Sequence, residues 1–225
     1  MSFKIGVITD SFRCPLEKAI EKAAFLGADG VQIYATGREL SHDTPDDLIK
    51  KIMRQLNDTH LELSALCGDI GAFDDEIVNI ERIKRSKKIV DLAVKMGTNV
   101  VTTHIGTVPE DKNDKKYITI HKACLELGKY ADSHNVKFAI ETGPEKAHVL
   151  RMLLDDLDCT GIAVNFDPAN LTMCVDDDAR AAVAILAPYI VHTHAKDGIM
   201  LSKHALDPRY AEIAKQRKWL ELPLG

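Results

Sequence analysis

Three stretches decide the fold: VKFAIE at 136–141, GIAVNFD at 161–167 and YIVHTH at 189–194. Side chains on a strand alternate faces with period two. In the first stretch Ala139 and Glu141 share one face, and Phe138 and Ile140 the other. In the second, Ala163, Asn165 and Asp167 stand opposite Ile162, Val164 and Phe166. In the third, His192 and His194 stand opposite Val191 and Thr193. Each strand sends bulky apolar side chains one way, toward covering helices. It sends small or polar ones the other way and ends on a potential ligand. That order suits a parallel barrel, whose chemistry sits at the C-terminal ends of its strands.

Working outward, four more strand patterns lie at 4–8, 30–34, 61–66 and 99–104, which makes seven β/α units. Amphipathic segments separate them. Pro15 opens a helix that Gly27 closes. Thr44-Pro45-Asp46-Asp47 reads as a capping Thr, a Pro at the first helical position and acids in the first turn. A long helix is expected over 74–96, with Gly97 just past its end. Asp176, Asp177 and Asp178 put negative charge at another helix start. A doubly wound open sheet is the alternative, but it usually carries a Gly-rich loop after its first strand. Here that loop is TDSFRCP, without glycine. No linker or composition break divides 1–225, so one domain is expected.

The 225 residues carry 29 Lys+Arg and 34 Asp+Glu, a net charge of −5 with His neutral. That balance argues against nucleic acid as a partner, because backbone binding needs Lys and Arg on the phosphates. No apolar run reaches the ~20 residues of a membrane span. The five cysteines, Cys14, Cys67, Cys124, Cys159 and Cys174, are odd in number and include no CxxC pair. Reduced thiols in a cytoplasm are expected.

A Glu, an Asp and a His from three successive strands therefore converge on one rim, the His being His192 or His194. Carboxylate oxygens mixed with imidazole suit one divalent cation, Mn²⁺, Mg²⁺, Co²⁺ or Zn²⁺. Taken singly, each has a plainer role: the Asp caps a helix, the Glu faces solvent, the His is a satisfied rim residue.

The segments AIETG at 139–143, GIAVNFDPAN at 161–170 and HTHAKDG at 192–198 resemble the sugar phosphate isomerase/epimerase family, and WLELPLG at 219–225 fits its C-terminal part. The resemblance implies a xylose isomerase-like TIM (β/α)8-type barrel. It also implies a metal held from strands five to eight, the first three ligands being Glu141, Asp167 and His194. Of the two histidines it selects His194, directly before Ala-Lys-Asp. It implies isomerisation or epimerisation of a sugar or sugar phosphate through an enediolate, with Glu141 as one acid/base group. Among related sequences an eighth unit brings a further Glu. The barrel expected of this chain lacks that unit and is open between its first and seventh strands. Its metal then has at most three protein ligands and is bound weakly or is absent, and either a homo-oligomer covers the open edge or the protein is poorly soluble and weakly stable.

Further substrate-binding candidates are His104, Glu145, Asn170, His192 and Lys196. Asn170 stands where some family epimerases carry a His, and it can hold a hydroxyl but not titrate. Lys196 is expected to meet an anionic substrate or to pair with Asp197. Trp219 and Tyr34 are candidates to stack on a sugar face or to pack under loops. Two readings from other classes remain beside this one. A ligand-binding barrel without turnover is the first. An endonuclease IV-like hydrolase is the second, and it implies three zinc ions, a larger His/Glu/Asp set and a basic DNA face.

Overall fold

Period-two alternation on one side and helical punctuation on the other produce a curled parallel sheet wrapped by helices. The computed structural model describes residues 3–224; Met1, Ser2 and Gly225, the ends of the expected 1–225 domain and the Gly of WLELPLG, lie outside the described residues. The elements run β1 (Gly6–Ile8), α1 (Leu16–Phe25), β2 (Gly30–Tyr34), α2 (Asp46–Asp58), β3 (Glu62–Cys67) and α3 (Glu76–Met96). There follow β4 (Val100–Thr103), α4 (Lys115–Ser133), β5 (Lys137–Glu141), α5 (Ala147–Asp156), β6 (Ile162–Phe166), α6 (Pro168–Val175) and α7 (Ala179–Leu186). The chain goes on through β7 (Ile190–Thr193), β8 (Asp197–Met200), α8 (Ala211–Ala214) and β9 (Trp219–Leu222).

The seven expected strands pair in sequence order, every neighbour parallel. Five strand spacings separate β2 from β7, about 24 Å in a flat sheet. Gln32 on β2 nevertheless accepts from His192 and His194 at 3.2 Å each. The sheet is therefore rolled into a barrel-like trough. Among the described residues β1 and β7 do not pair, and a cleft of about 600 Å³ lies between them, lined by Ile5, Val7, Ile190 and His192. The expected opening is thus present. Beyond β7, β8 and β9 form a separate antiparallel hairpin that packs against α6. The sequence reading did not foresee that hairpin.

Two apolar layers follow from the parity of the strands. Ala65, Val100, Ala139 and Ala163 fill the trough interior, where the tight curl leaves room only for small side chains. Phe138, Ile140, Val164 and Phe166 point outward and pack with Ile20, Ile89, Leu127 and Leu150 from the surrounding helices. Fully burying side chains of this size stabilises by roughly 1.5–3 kcal/mol each, so the outer layer holds the fold and leaves the inner face free for polar groups.

The helix signals hold with one correction. Asp75 caps α3 by accepting from Ile77 and Val78, and Gly97 ends it at φ +77°. Asp178 caps α7 in the same way. Thr44 is not a cap: its Oγ1 accepts the Ser41 N–H at 2.8 Å, and α2 starts from Pro45 without a side-chain cap. Pro45 fixes its own φ, so the Thr side chain is free to brace the preceding turn.

Candidate active site and metal centre

Glu141 is the last residue of β5, Asp167 follows β6 and His194 follows β7. Parity turns all three into the trough at its C-terminal mouth. His194 Nδ1 lies 3.4 Å from Glu141 Oε2 and 4.0 Å from Asp167 Oδ2. One ligand atom from each residue falls within 4.8 Å of the others. A point within about 2.8 Å of all three therefore exists, so a small contraction gives metal distances of about 2.0–2.6 Å.

Asp167 is placed for both of the roles the sequence offered it. Its Oδ1 accepts the Asn170 N–H at 3.0 Å and caps α6. Its Oδ2 is buried without an aligned hydrogen bond and faces the other two ligands. A buried carboxylate oxygen beside a second carboxylate and an imidazole fits a divalent cation, so the residues present suit the metal the sequence pattern implied.

The surrounding groups hold the ligands in place. Asn170 Nδ2 donates to Glu141 Oε1 at 2.9 Å, and Asn165 Nδ2 donates to Glu141 Oε2 at 3.3 Å. Gln32 Oε1 accepts from Nε2 of His194, which leaves Nδ1 of that ring toward the carboxylates. Lys196 Nζ meets Asp167 Oδ2 at 2.8 Å, Asn170 Oδ1 at 2.8 Å and Glu221 Oε1 at 3.7 Å. The pairing of Lys196 with Asp197 is thereby corrected: Asp197 Oδ1 turns back onto the Gly198 N–H. The backbone there points Lys196 into the trough while Asp197 begins β8.

Burial pushes the Glu141 carboxyl up, but the His194 contact and the charges of His194, His104 and Lys196 outweigh it and hold the group below its ordinary range. Asp167 goes the other way: burial and the Glu141 charge raise it against the opposing Lys196 contact and Asn170 N–H. Two adjacent carboxylates pushed apart in this way provide one ready proton acceptor and one group that needs a cation. Burial, with the neighbouring His194 charge, lowers His192 to about 4, so that ring is neutral at physiological pH.

His104, just past β4, stands at the same rim. Its Nδ1 faces Asp69 Oδ2 at 2.9 Å and its Nε2 lies 3.7 Å from Glu141 Oε1. The Asp69 partner raises the His104 pKa despite partial burial. Glu145 is brought close but not into the mouth: it is 5% exposed, and its Oε2 accepts the Val108 N–H at 3.0 Å while Oε1 has no partner. Burial raises it to about 7. Trp219 stands on the β8–β9 hairpin and Tyr34 ends β2, both partly exposed. Gln32, Asp69, Asn165 and Glu221 are contributors the sequence reading missed. For Gln32 and Asn165 a signal existed, since each is a polar residue on the small-residue face of its strand. For Asp69 and Glu221 none did, because loop and hairpin geometry places them.

A family model for the xylose isomerase-like TIM barrel matches residues 20–224. Comparison with curated proteins gives no match. Among solved structures, the xylose isomerase domain protein from Planctomyces limnophilus is 21% identical, with a TM-score of 0.79 over 99% of this chain and 81% of that one. A probable 3-DHS dehydratase from Bacillus anthracis is 18% identical, with a TM-score of 0.77 over 99% and 84%. D-Psicose 3-epimerase from Clostridium cellulolyticum H10 is 15% identical, with a TM-score of 0.71 over 85% and 72%. At these identities the likeness is one of fold.

Proposed function

Because the chain belongs to the xylose isomerase-like TIM barrel family, we propose that it is a divalent-metal-dependent isomerase or epimerase acting on a sugar or sugar phosphate. One observation carries the reading: Glu141, Asp167 and His194 offer three ligand atoms within 4.8 Å of one another at the barrel mouth. A bound divalent ion supplies Lewis-acid polarisation of the substrate carbonyl and offsets the negative charge that develops beside it.

The protein's own groups do the rest. Glu141, held ionised, accepts the proton from the carbon next to the carbonyl and, as the carboxylic acid, returns it to the adjacent carbon, which completes an isomerisation. Asn170 and Asn165 fix its two oxygens so that the proton arrives at a defined position. Gln32 orients His194, and His104 presents Nε2 to a substrate hydroxyl from the β4 side. Asn170, His192 and Lys196 complete the substrate wall in this reading, and Glu145, buried behind the mouth, is left out of it. The five free thiols agree with a cytoplasmic setting, and no described helix is long and apolar enough to cross a membrane. The reading also includes a homo-oligomer in which a second copy covers the β1–β7 cleft, beside which Phe3, Ile5 and Val191 are exposed. Light scattering that finds only monomer overturns that part.

The test is a panel of ketoses, aldoses and their phosphates incubated with the protein and Mn²⁺, the products separated by chromatography. Metal-dependent appearance of an epimer or isomer, abolished by Glu141→Gln, is expected. Loss of water from a substrate instead assigns the mouth to a dehydratase, and no metal-dependent conversion across the panel overturns the reading.

A further inference from the structure

The oxygen of Asp167 that is open to a metal already carries a cation of the chain's own. Its other oxygen is committed to capping α6. Oδ2 faces His194 Nδ1 at 4.0 Å, and Lys196 Nζ stands on that same oxygen at 2.8 Å. The ammonium also donates to Asn170 Oδ1 at 2.8 Å, and Asn170 donates to Glu141 Oε1 at 2.9 Å. Lys196 is thus tied to one carboxylate of the triad directly and to the other through a single amide.

We propose that Lys196 is the resident counter-cation of this site and competes with a divalent metal for Asp167 Oδ2, so that metal loading displaces the ammonium toward Glu221. The inference rests on reading Glu141, Asp167 and His194 as a metal site. A metal on Oδ2 and an ammonium on the same atom lie within about 5 Å of each other, where like charges repel strongly unless water screens them. Asp167 is fully buried, so that screening is weak. The Lys196 contact is a poorly aligned ion pair, which yields more readily than a directed hydrogen bond.

Lys196 also has somewhere to go. Its side chain is partly exposed, and Glu221 Oε1 on β9 lies 3.7 Å from Nζ, itself more than half exposed. A lysine has a four-carbon flexible stem, so the ammonium can make that move by side-chain rotation alone. Without metal, the ion pair spares the fold a buried, uncompensated aspartate. With metal, the same pair is what the ion must break, and Lys196 sets how tightly this chain holds it.

The experiment is calorimetric titration with Mn²⁺ of the wild type, Lys196→Met and Lys196→Arg at fixed pH and salt. The Met variant keeps the stem and loses the charge, so it is expected to bind about tenfold more tightly or better. The Arg variant keeps a competing cation and stays near wild type. Metal-free Lys196→Met melts lower than wild type and regains more on adding Mn²⁺. Equal or weaker binding by the Met variant, with wild type binding, overturns the competition while leaving the metal site standing. Absence of binding in all three proteins overturns both. Should the Met variant fail to fold, Mg²⁺ titration of wild type followed by NMR of lysine Cε and histidine Cε1 decides. Movement of Lys196 together with His194 supports the displacement, and movement of His194 alone overturns it.

Discussion

Replacing Glu145 by Gln should remove a pH-dependent load on the fold. Glu145 is 5% exposed, one of its oxygens has no partner, and the other accepts only the Val108 N–H. Burial lifts its pKa from an ordinary 4.5 to about 7. A carboxyl whose folded pKa lies above its unfolded value favours the protonated folded state. Its contribution is fully present below pH 4.5 and is lost as pH rises through 7. At ~1.4 kcal/mol per pH unit the whole span is about 3.5 kcal/mol, and the part between pH 5 and pH 8 is about 2.5 kcal/mol. Gln keeps the shape and the acceptor for Val108 but cannot charge. Urea unfolding of both proteins at pH 5 and pH 8 should therefore show the wild type losing about 2.5 kcal/mol more than Glu145→Gln over that interval. Other titrating groups cancel in the double difference. Identical pH slopes would refute the claim that this carboxyl is buried and uncompensated.

Gln32→Leu removes the acceptor for His194 Nε2 and frees the ring to turn. Loss of such an outer-shell partner costs about 10–100-fold in metal affinity, read by Mn²⁺ titration, and an unchanged affinity would show that Gln32 does not orient the ligand. Asp69→Asn takes the negative charge from His104 Nδ1. The raised His104 pKa should then fall, followed by NMR of its ring protons; a constant value would assign the shift to Glu141 instead. Gly143 adopts φ +135°, and a Cβ there would stand 2.2 Å from Asn170 Cβ. Gly143→Ala should cost roughly 2–4 kcal/mol in denaturant unfolding from backbone strain and overpacking together, and a wild-type midpoint would contradict that geometry.

The strand pattern was legible because period two is a local property. All seven strands fall where alternation and turn signals put them, and the interior Ala139 and Ala163 follow from parity alone. Glu141 and Asp167 were legible because each ends such a strand on the small-residue face, whereas His194 shares that face with His192 and was selected by the resemblance. The β8–β9 hairpin was not, because Asp197–Met200 and Trp219–Leu222 are short and their pairing spans an irregular stretch. Gln32 shows a different limit. Its face could be read from GVQIY, but its meeting with β7 depends on how tightly the sheet rolls, which no segment of sequence encodes by itself. Asp69 reaches His104 from a loop, where no periodicity applies.

Asp167 shows why the plain and the functional readings of one residue need not compete. A residue that ends a strand and begins a helix has one backbone geometry that suits N-capping, and Pro168 at the first helical turn fixes it further. Capping uses one carboxylate oxygen, and it holds the side chain in a single orientation with the second oxygen turned into the trough. The fold thus supplies the preorganisation a ligand needs: the cap that stabilises α6 also prevents Oδ2 from swinging away. A Glu at this position would have the charge without that geometry, because its longer side chain does not close the short cap ring. The same economy explains Asn170, whose backbone N–H donates to the capping oxygen while its side chain bridges Glu141 and Lys196. One helix start therefore fixes Asp167 directly and Glu141 through a single amide, while the third member of the cluster, His194, is held from across the trough by Gln32.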